Sequence, residues 1–81
     1  MSKKISLEAA RVLVGLSQRE AAEKFGVHPQ TVASWENDSS KVKQKYVQMI
    51  PQIYLVNPTD IFFGTKNEFT RYYEEKHDLT I

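Results

Sequence analysis

The sequence predicts an all-α domain of five short helices in a compact arrangement, ending in a tail that reads equally as helix or strand. Three observations carry this. Apolar residues recur at three- and four-residue intervals along residues 7–25. Ser17 stands three residues before Glu20, the spacing of a capping box at a helix start. Gly26 and then Pro29 punctuate the chain where one helix must stop and another begin. With 81 residues, one small domain is expected. At this size a hydrophobic core is marginal unless helices pack closely or copies associate.

The elements follow in order. Ser6 is a fitting N-cap and Gly15 a fitting stop for a first helix over residues 7–14, with Leu7, Ala10, Leu13 and Val14 as its apolar set. A second helix spans residues 18–25, with Ala21, Ala22 and Phe25 inward. A third spans residues 29–36, started by Pro29, with Val32 and Trp35 inward. Asp38, Ser39 and Ser40 make a polar connection. A fourth helix is expected over residues 43–54 from Val47, Ile50, Ile53 and Tyr54. Pro51 must kink or split it, because proline removes a backbone hydrogen bond and clashes with the preceding turn. Asn57, Pro58 and Asp60 read as the start of a fifth helix carrying Ile61, Phe62 and Phe63 and ended by Gly64. In the tail, Phe69, Tyr72 and Tyr73 suit a helix by spacing, but the composition also suits a strand.

Composition excludes more than it selects. There is no cysteine, so no disulfide or thiolate metal site can form. Two lysines precede Ile5 with no long apolar run behind them, so neither a secretory signal nor a membrane span is expected, and a cytoplasmic setting is. The net charge is +1, divided as +3 over residues 1–45 (eight Lys/Arg, five Asp/Glu) and −2 over residues 46–81 (three and five). A basic front half is compatible with a polyanionic partner. No nucleophile–His–acid spacing occurs. His28 and His77 lack local ligand sets, and Glu74 and Glu75, being adjacent, diverge on a helix. With three glycines there is no phosphate-cradling loop, so neither an enzyme, a metal nor a cofactor is expected.

Two short helices joined by a glycine-containing turn form a helix-turn-helix, a motif whose second helix can lie in a DNA major groove. With Val32 and Trp35 turned inward, positions 30, 33, 34 and 37 lie on the opposite face. That face is short-chained and uncharged. Gln30 can pair bidentately with adenine, Ser34 can bond several bases, and Ala33 can touch a thymine methyl group. His28, just ahead of the helix, can reach a base or cap the helix. Phosphate contacts are expected from Gln18 at the start of the second helix, where free N–H groups attract anions, and from Thr31, Asn37, Ser39, Lys41, Lys43 and Lys45. Ala22 sits where the two helices cross, so a bulkier side chain would force them apart.

Gln18, Ala22, Gly26, Val27, Val32, Trp35, Glu36 and Asn37, in register, resemble the repressor and Cro-type (XRE-like) helix-turn-helix family of phages and bacteria. Arg11 and residues 56–63 extend the resemblance over roughly residues 5–64. It implies a repressor-like, sequence-specific binder of double-stranded DNA acting in transcription regulation, most simply as a repressor. It also implies a phosphate contact by Gln18 and an internal ion pair between Arg11 and Glu36. Such repressors bind palindromic operators as homodimers on half-sites about 34 Å apart. The candidate dimer surface is Ile61, Phe62, Phe63, Phe69, Tyr72 and Tyr73. Residues 1–64 are then the DNA-binding domain and residues 65–81 a dimerisation or partner segment. Two departures stand out: Pro29 occupies a position often held by a polar contact residue, and Asp38 replaces a common glycine, a place where Asp tolerates left-handed backbone. The competing reading is an adaptor or antitoxin-like interaction module that uses the aromatic tail.

Overall fold

A computed structural model describes residues 3–79, with side chains of residues 3–76. The α-helices are α1 (Leu7–Leu13), α2 (Gln18–Phe25), α3 (Pro29–Asn37), α4 (Gln44–Val47), α5 (Ile50–Ile53) and α6 (Lys66–Leu79). Short 3-10 turns occupy Ser39–Lys41 and Pro58–Asp60. Since α4 and α5 are the halves of one interrupted helix, the all-α arrangement has five helical units among the described residues.

Local chemistry explains the first three helices. The Ser6 hydroxyl accepts the Ala9 N–H (3.0 Å) and starts α1. Ser17 and Glu20 form the full capping box of α2: the Ser17 hydroxyl accepts the Glu20 N–H at 3.0 Å, and the Glu20 carboxylate accepts the Ser17 N–H at 2.9 Å. That reciprocal bonding, led by the Ser17 N–H, holds the Glu20 carboxyl below its ordinary value. Gly26 ends α2 at φ +75°, ψ +34°. The Val27 N–H then reaches back to the Ala22 carbonyl at 2.9 Å, closing the helix end with left-handed backbone that glycine adopts without steric cost.

The core draws Leu7 and Ala10 from α1, Ala21, Ala22 and Phe25 from α2, and Val32 and Trp35 from α3. Ile50, Tyr54 and Ile61 close it from the C-terminal side. Phe25 meets both Trp35 and Tyr54 edge-on, with ring centroids 5.4 Å apart in each case. Each of Ile50, Val32 and Ile61, fully enclosed, contributes about 1.5–3 kcal/mol by leaving water. Burial pushes the Tyr54 hydroxyl up to about 12, and that hydroxyl has no hydrogen-bond partner among the described residues. Leu13, expected inward, is 75% exposed. It is the last residue of α1, and Val14 of the same expected set packs against the core.

Of the two outcomes open at Pro51 the structure takes the split: α4 stops at Val47, and α5 restarts with Pro51 in its first turn. The expected fifth helix at Pro58 is a single 3-10 turn. Asn57 does cap it, accepting the Thr59 N–H at 3.0 Å. The chain then extends so that Ile61 pairs in parallel with Ile5, through Ile5 N–H to Asp60 O and Phe62 N–H to Ile5 O, each 2.9 Å. Asp38 is not left-handed. It lies extended at φ −148°, and its carboxylate accepts the Ser40 N–H at 3.1 Å.

The tail is helical. Thr65 and Glu68 make a second capping box: the Thr65 hydroxyl accepts the Glu68 N–H at 3.1 Å, and the Glu68 carboxylate accepts the Thr65 N–H at 2.8 Å. The inner side of α6 lies on the N-terminal strand-like segment. Phe69 and Tyr72 pack on Phe62, with centroids 5.7 and 5.0 Å away. The Tyr72 hydroxyl accepts the Lys4 N–H (3.1 Å) and the Tyr73 hydroxyl donates to the Lys4 carbonyl (2.6 Å). Gly64 at this junction is needed for space, since a Cβ there would lie 2.8 Å from Glu68 Oε1 and 2.9 Å from Phe62 Cε2.

Candidate nucleic-acid interface

The anchor of the site is Trp35, 6% exposed, with Val32 fully buried beside it. Both belong to the core, and the Trp35 ring meets Phe25 of α2 and Tyr46 of α4, with centroids 5.4 and 5.1 Å away. Helical geometry then turns Gln30, Ser34 and Asn37 outward, and all three are exposed; Ala33 between them is half-buried. Ala22, 1% exposed, is buried in the core.

Residues flanking α3 divide into free and committed groups. The His28 Nδ1 accepts the Gln30 N–H at 3.1 Å and caps α3. Thr31 is half-buried, whereas Lys41, Lys43 and Lys45 are all exposed. The Lys45 ammonium lies 5.3 Å from the Tyr46 ring centroid. Ser39, expected to reach phosphate, is corrected: it is 4% exposed. Its hydroxyl faces the carbonyls of Phe62 and Gly64, both at 3.2 Å, and accepts the Gly64 N–H at 2.9 Å. That leaves it nothing to offer an external ligand.

Behind this face lies a polar network that the sequence reading only half anticipated. The Arg11 Nε–H donates to Glu36 Oε2 at 2.6 Å, and Nη2 donates to Glu36 Oε1 at 3.2 Å. The two side chains are 10% and 3% exposed. The hydrogen bond to Glu36 raises the Arg11 pKa above its usual value, against the opposing effect of burial. Arg11 Nη1 also donates to the Leu16 carbonyl at 2.7 Å, one residue ahead of the α2 cap. The unforeseen member is Gln18, whose Nε2 donates to Glu36 Oε1 at 2.9 Å. One carboxylate at the end of α3 thereby holds α1 and the first residue of α2.

The aromatic residues named as a dimer surface are largely used within the chain. Ile61 is 1% exposed. Phe63 packs against the core, and Phe62, Phe69, Tyr72 and Tyr73 are half-buried in the α6 contact. Among the described residues the exposed large apolar ones are instead Val12, Leu13 and Leu55, the last in left-handed backbone at φ +56°.

A family model described as Helix-turn-helix matches residues 7–61. That span runs from the first residue of α1 to the residue bridging back to Ile5, and it includes the whole α3 face. The chain belongs to the Cro/C1-type, XRE-like helix-turn-helix family, a family of DNA-binding regulators. No curated protein and no solved structure matches the chain. Among the described residues no helix is long and apolar enough to cross a membrane.

Proposed function

We propose that the chain is a sequence-specific binder of double-stranded DNA that acts as a transcriptional repressor, with α3 in the major groove. The observation that carries this is the pairing of a buried Trp35 with exposed Gln30, Ser34 and Asn37 on the same helix. In this reading Gln30 takes an adenine edge, Ser34 an adjacent base, and Ala33 a thymine methyl group, with His28 at the groove wall. Gln18, Thr31, Asn37, Lys41, Lys43 and Lys45 meet phosphates on either side. Repression needs no further apparatus, because a domain seated in the groove occludes the duplex it covers. Residues 1–64 do the binding, and the chain works as a homodimer on a palindrome, since one α3 spans only a few base pairs. Tyr72 and Tyr73 of the tail brace the N-terminal segment through Lys4.

The test compares substitutions of two kinds. Gln30→Ala is expected to weaken binding to the preferred duplex by about 1–3 kcal/mol and to relax discrimination at one base pair. Lys43→Ala is expected to weaken binding to all duplexes alike and to flatten the salt dependence by about one charge. Equal, sequence-blind losses from both would refute the assignment of α3 as the reading element.

A further inference from the structure

We propose that Glu36 is a positioning residue for DNA binding: it sets the orientation of the Gln18 carboxamide at the start of α2, and Arg11 holds Glu36 in place to do so. The inference rests on the DNA-binding reading and deepens it. Glu36 contacts no solvent to speak of, with 3% of its side chain exposed. It therefore acts on an external ligand only through its neighbours. Those neighbours are Arg11, which takes both carboxylate oxygens, and Gln18, whose Nε2 donates to Oε1 at 2.9 Å.

A free carboxamide at a helix start can present either edge to solvent, and the two edges have opposite meaning for an anion. The N–H edge attracts a phosphate oxygen; the carbonyl edge repels it. A carboxylate can only accept, so Glu36 admits the Gln18 amide in one sense alone, with nitrogen toward Oε1. Nε2 carries two hydrogens, and one remains after that bond. The carboxylate thus keeps a donor, not an acceptor, fixed beside the free N–H groups of α2. Arg11 secures the same place a second way, by bonding the Leu16 carbonyl at 2.7 Å just before the α2 cap. The network joins the end of the base-facing helix to the start of the phosphate-facing one. It therefore sets the spacing of the two kinds of contact as well as the sense of the amide.

Stability and affinity can be separated with two variants. Arg11→Met with Glu36→Leu removes both charges together, so neither is stranded, and such paired replacements commonly keep or raise stability. Glu36→Gln keeps an oxygen able to accept from Gln18 but leaves Arg11 with only the exposed Glu8 carboxylate, 3.8 Å away, as counter-charge. With a duplex selected by the wild-type chain, the paired variant is expected to melt near wild type yet bind about tenfold more weakly. Glu36→Gln is expected to melt lower yet, at a temperature where it is folded, to bind within about twofold of wild type. Gln18→Ala should cost about tenfold in the wild-type background and nothing further in the paired variant, a non-additivity diagnostic of one shared contact. An affinity that tracks melting temperature across these variants, or a Gln18→Ala loss equal in both backgrounds, overturns the proposal. A wild-type chain that selects no duplex at all overturns the DNA reading itself, which a normal wild-type titration separates from failure of the positioning role.

Discussion

Gly26→Ala tests the turn on which the recognition geometry depends, and its cost can be worked out in advance. Gly26 sits at φ +75°, and an added Cβ would meet nothing within 4 Å. Steric collision therefore contributes nothing, and the effect is conformational alone. Holding an L-residue in left-handed backbone costs about 1–2 kcal/mol. Alanine also has less freedom than glycine in the unfolded chain, which returns about 0.4–1 kcal/mol. The net loss is about 1 kcal/mol, which for a domain of this size lowers Tm by about 4–8 °C. Thermal unfolding followed by far-ultraviolet circular dichroism measures it, and Gly26→Asn should lose less because Asn tolerates this region. Gly64→Ala is the contrast: its Cβ would lie 2.8 Å from Glu68 Oε1 and 2.9 Å from Phe62 Cε2, so Asn at this position would bring no relief. An unchanged or raised Tm for Gly26→Ala would refute the left-handed turn and with it the angle between α2 and α3.

Ala22→Val places two extra carbons at a site 1% exposed and should cost about 1–3 kcal/mol by overpacking; calorimetry and duplex titration should show stability and affinity falling together. Tyr54→Phe removes a buried hydroxyl that has no partner among the described residues, so at pH 7 stability should be unchanged or higher by up to about 1 kcal/mol. Because the folded Tyr54 hydroxyl is raised from 10.0 to about 12, its neutral form supports the fold below pH 10, and that support is lost as pH rises toward 12. Denaturant melts should show this alkaline loss in the wild type and its reduction in Tyr54→Phe. Glu20 behaves with the opposite sign. Its carboxyl is held below 4.5, chiefly by the Ser17 backbone N–H, so its contribution is complete above pH 4.5 and fades as pH falls through the folded value. Ser17→Ala should cost about 1 kcal/mol at pH 7 and shrink that acid dependence, read from urea midpoints across pH 3–7.

The part of the molecule written in local signals was legible. α2 begins and ends where Ser17, Glu20 and Gly26 place it, and α3 starts at Pro29, because caps and left-handed stops act within four residues. The inward turn of Trp35 followed from helical spacing alone. What escaped the reading depends on residues far apart in sequence. The Asn57–Pro58 cap was correctly seen, but pairing of Ile61 with Ile5, 56 residues away, pulls the chain out of helix after one turn. Ser39 looked like a polar connector, yet the carbonyls that bury its hydroxyl are supplied by Phe62 and Gly64. The bond from Gln18 to Glu36 spans 18 residues and crosses two helices; only the family resemblance hinted at the ion pair beside it. The tail carries a local signal of its own: Thr65 and Glu68 repeat the spacing of Ser17 and Glu20, and their capping box decides the tail in favour of helix.

Selection of bound duplexes from a random DNA pool, carried out at moderate salt with the whole chain, tests the central assignment most directly. The expected outcome is a twofold-symmetric sequence with half-sites about one helical turn apart, and loss of preference at one position of each half-site when Gln30→Ala is used. A pool that emerges without enrichment, or an enriched sequence unaffected by changes at Gln30 and Ser34, would contradict it.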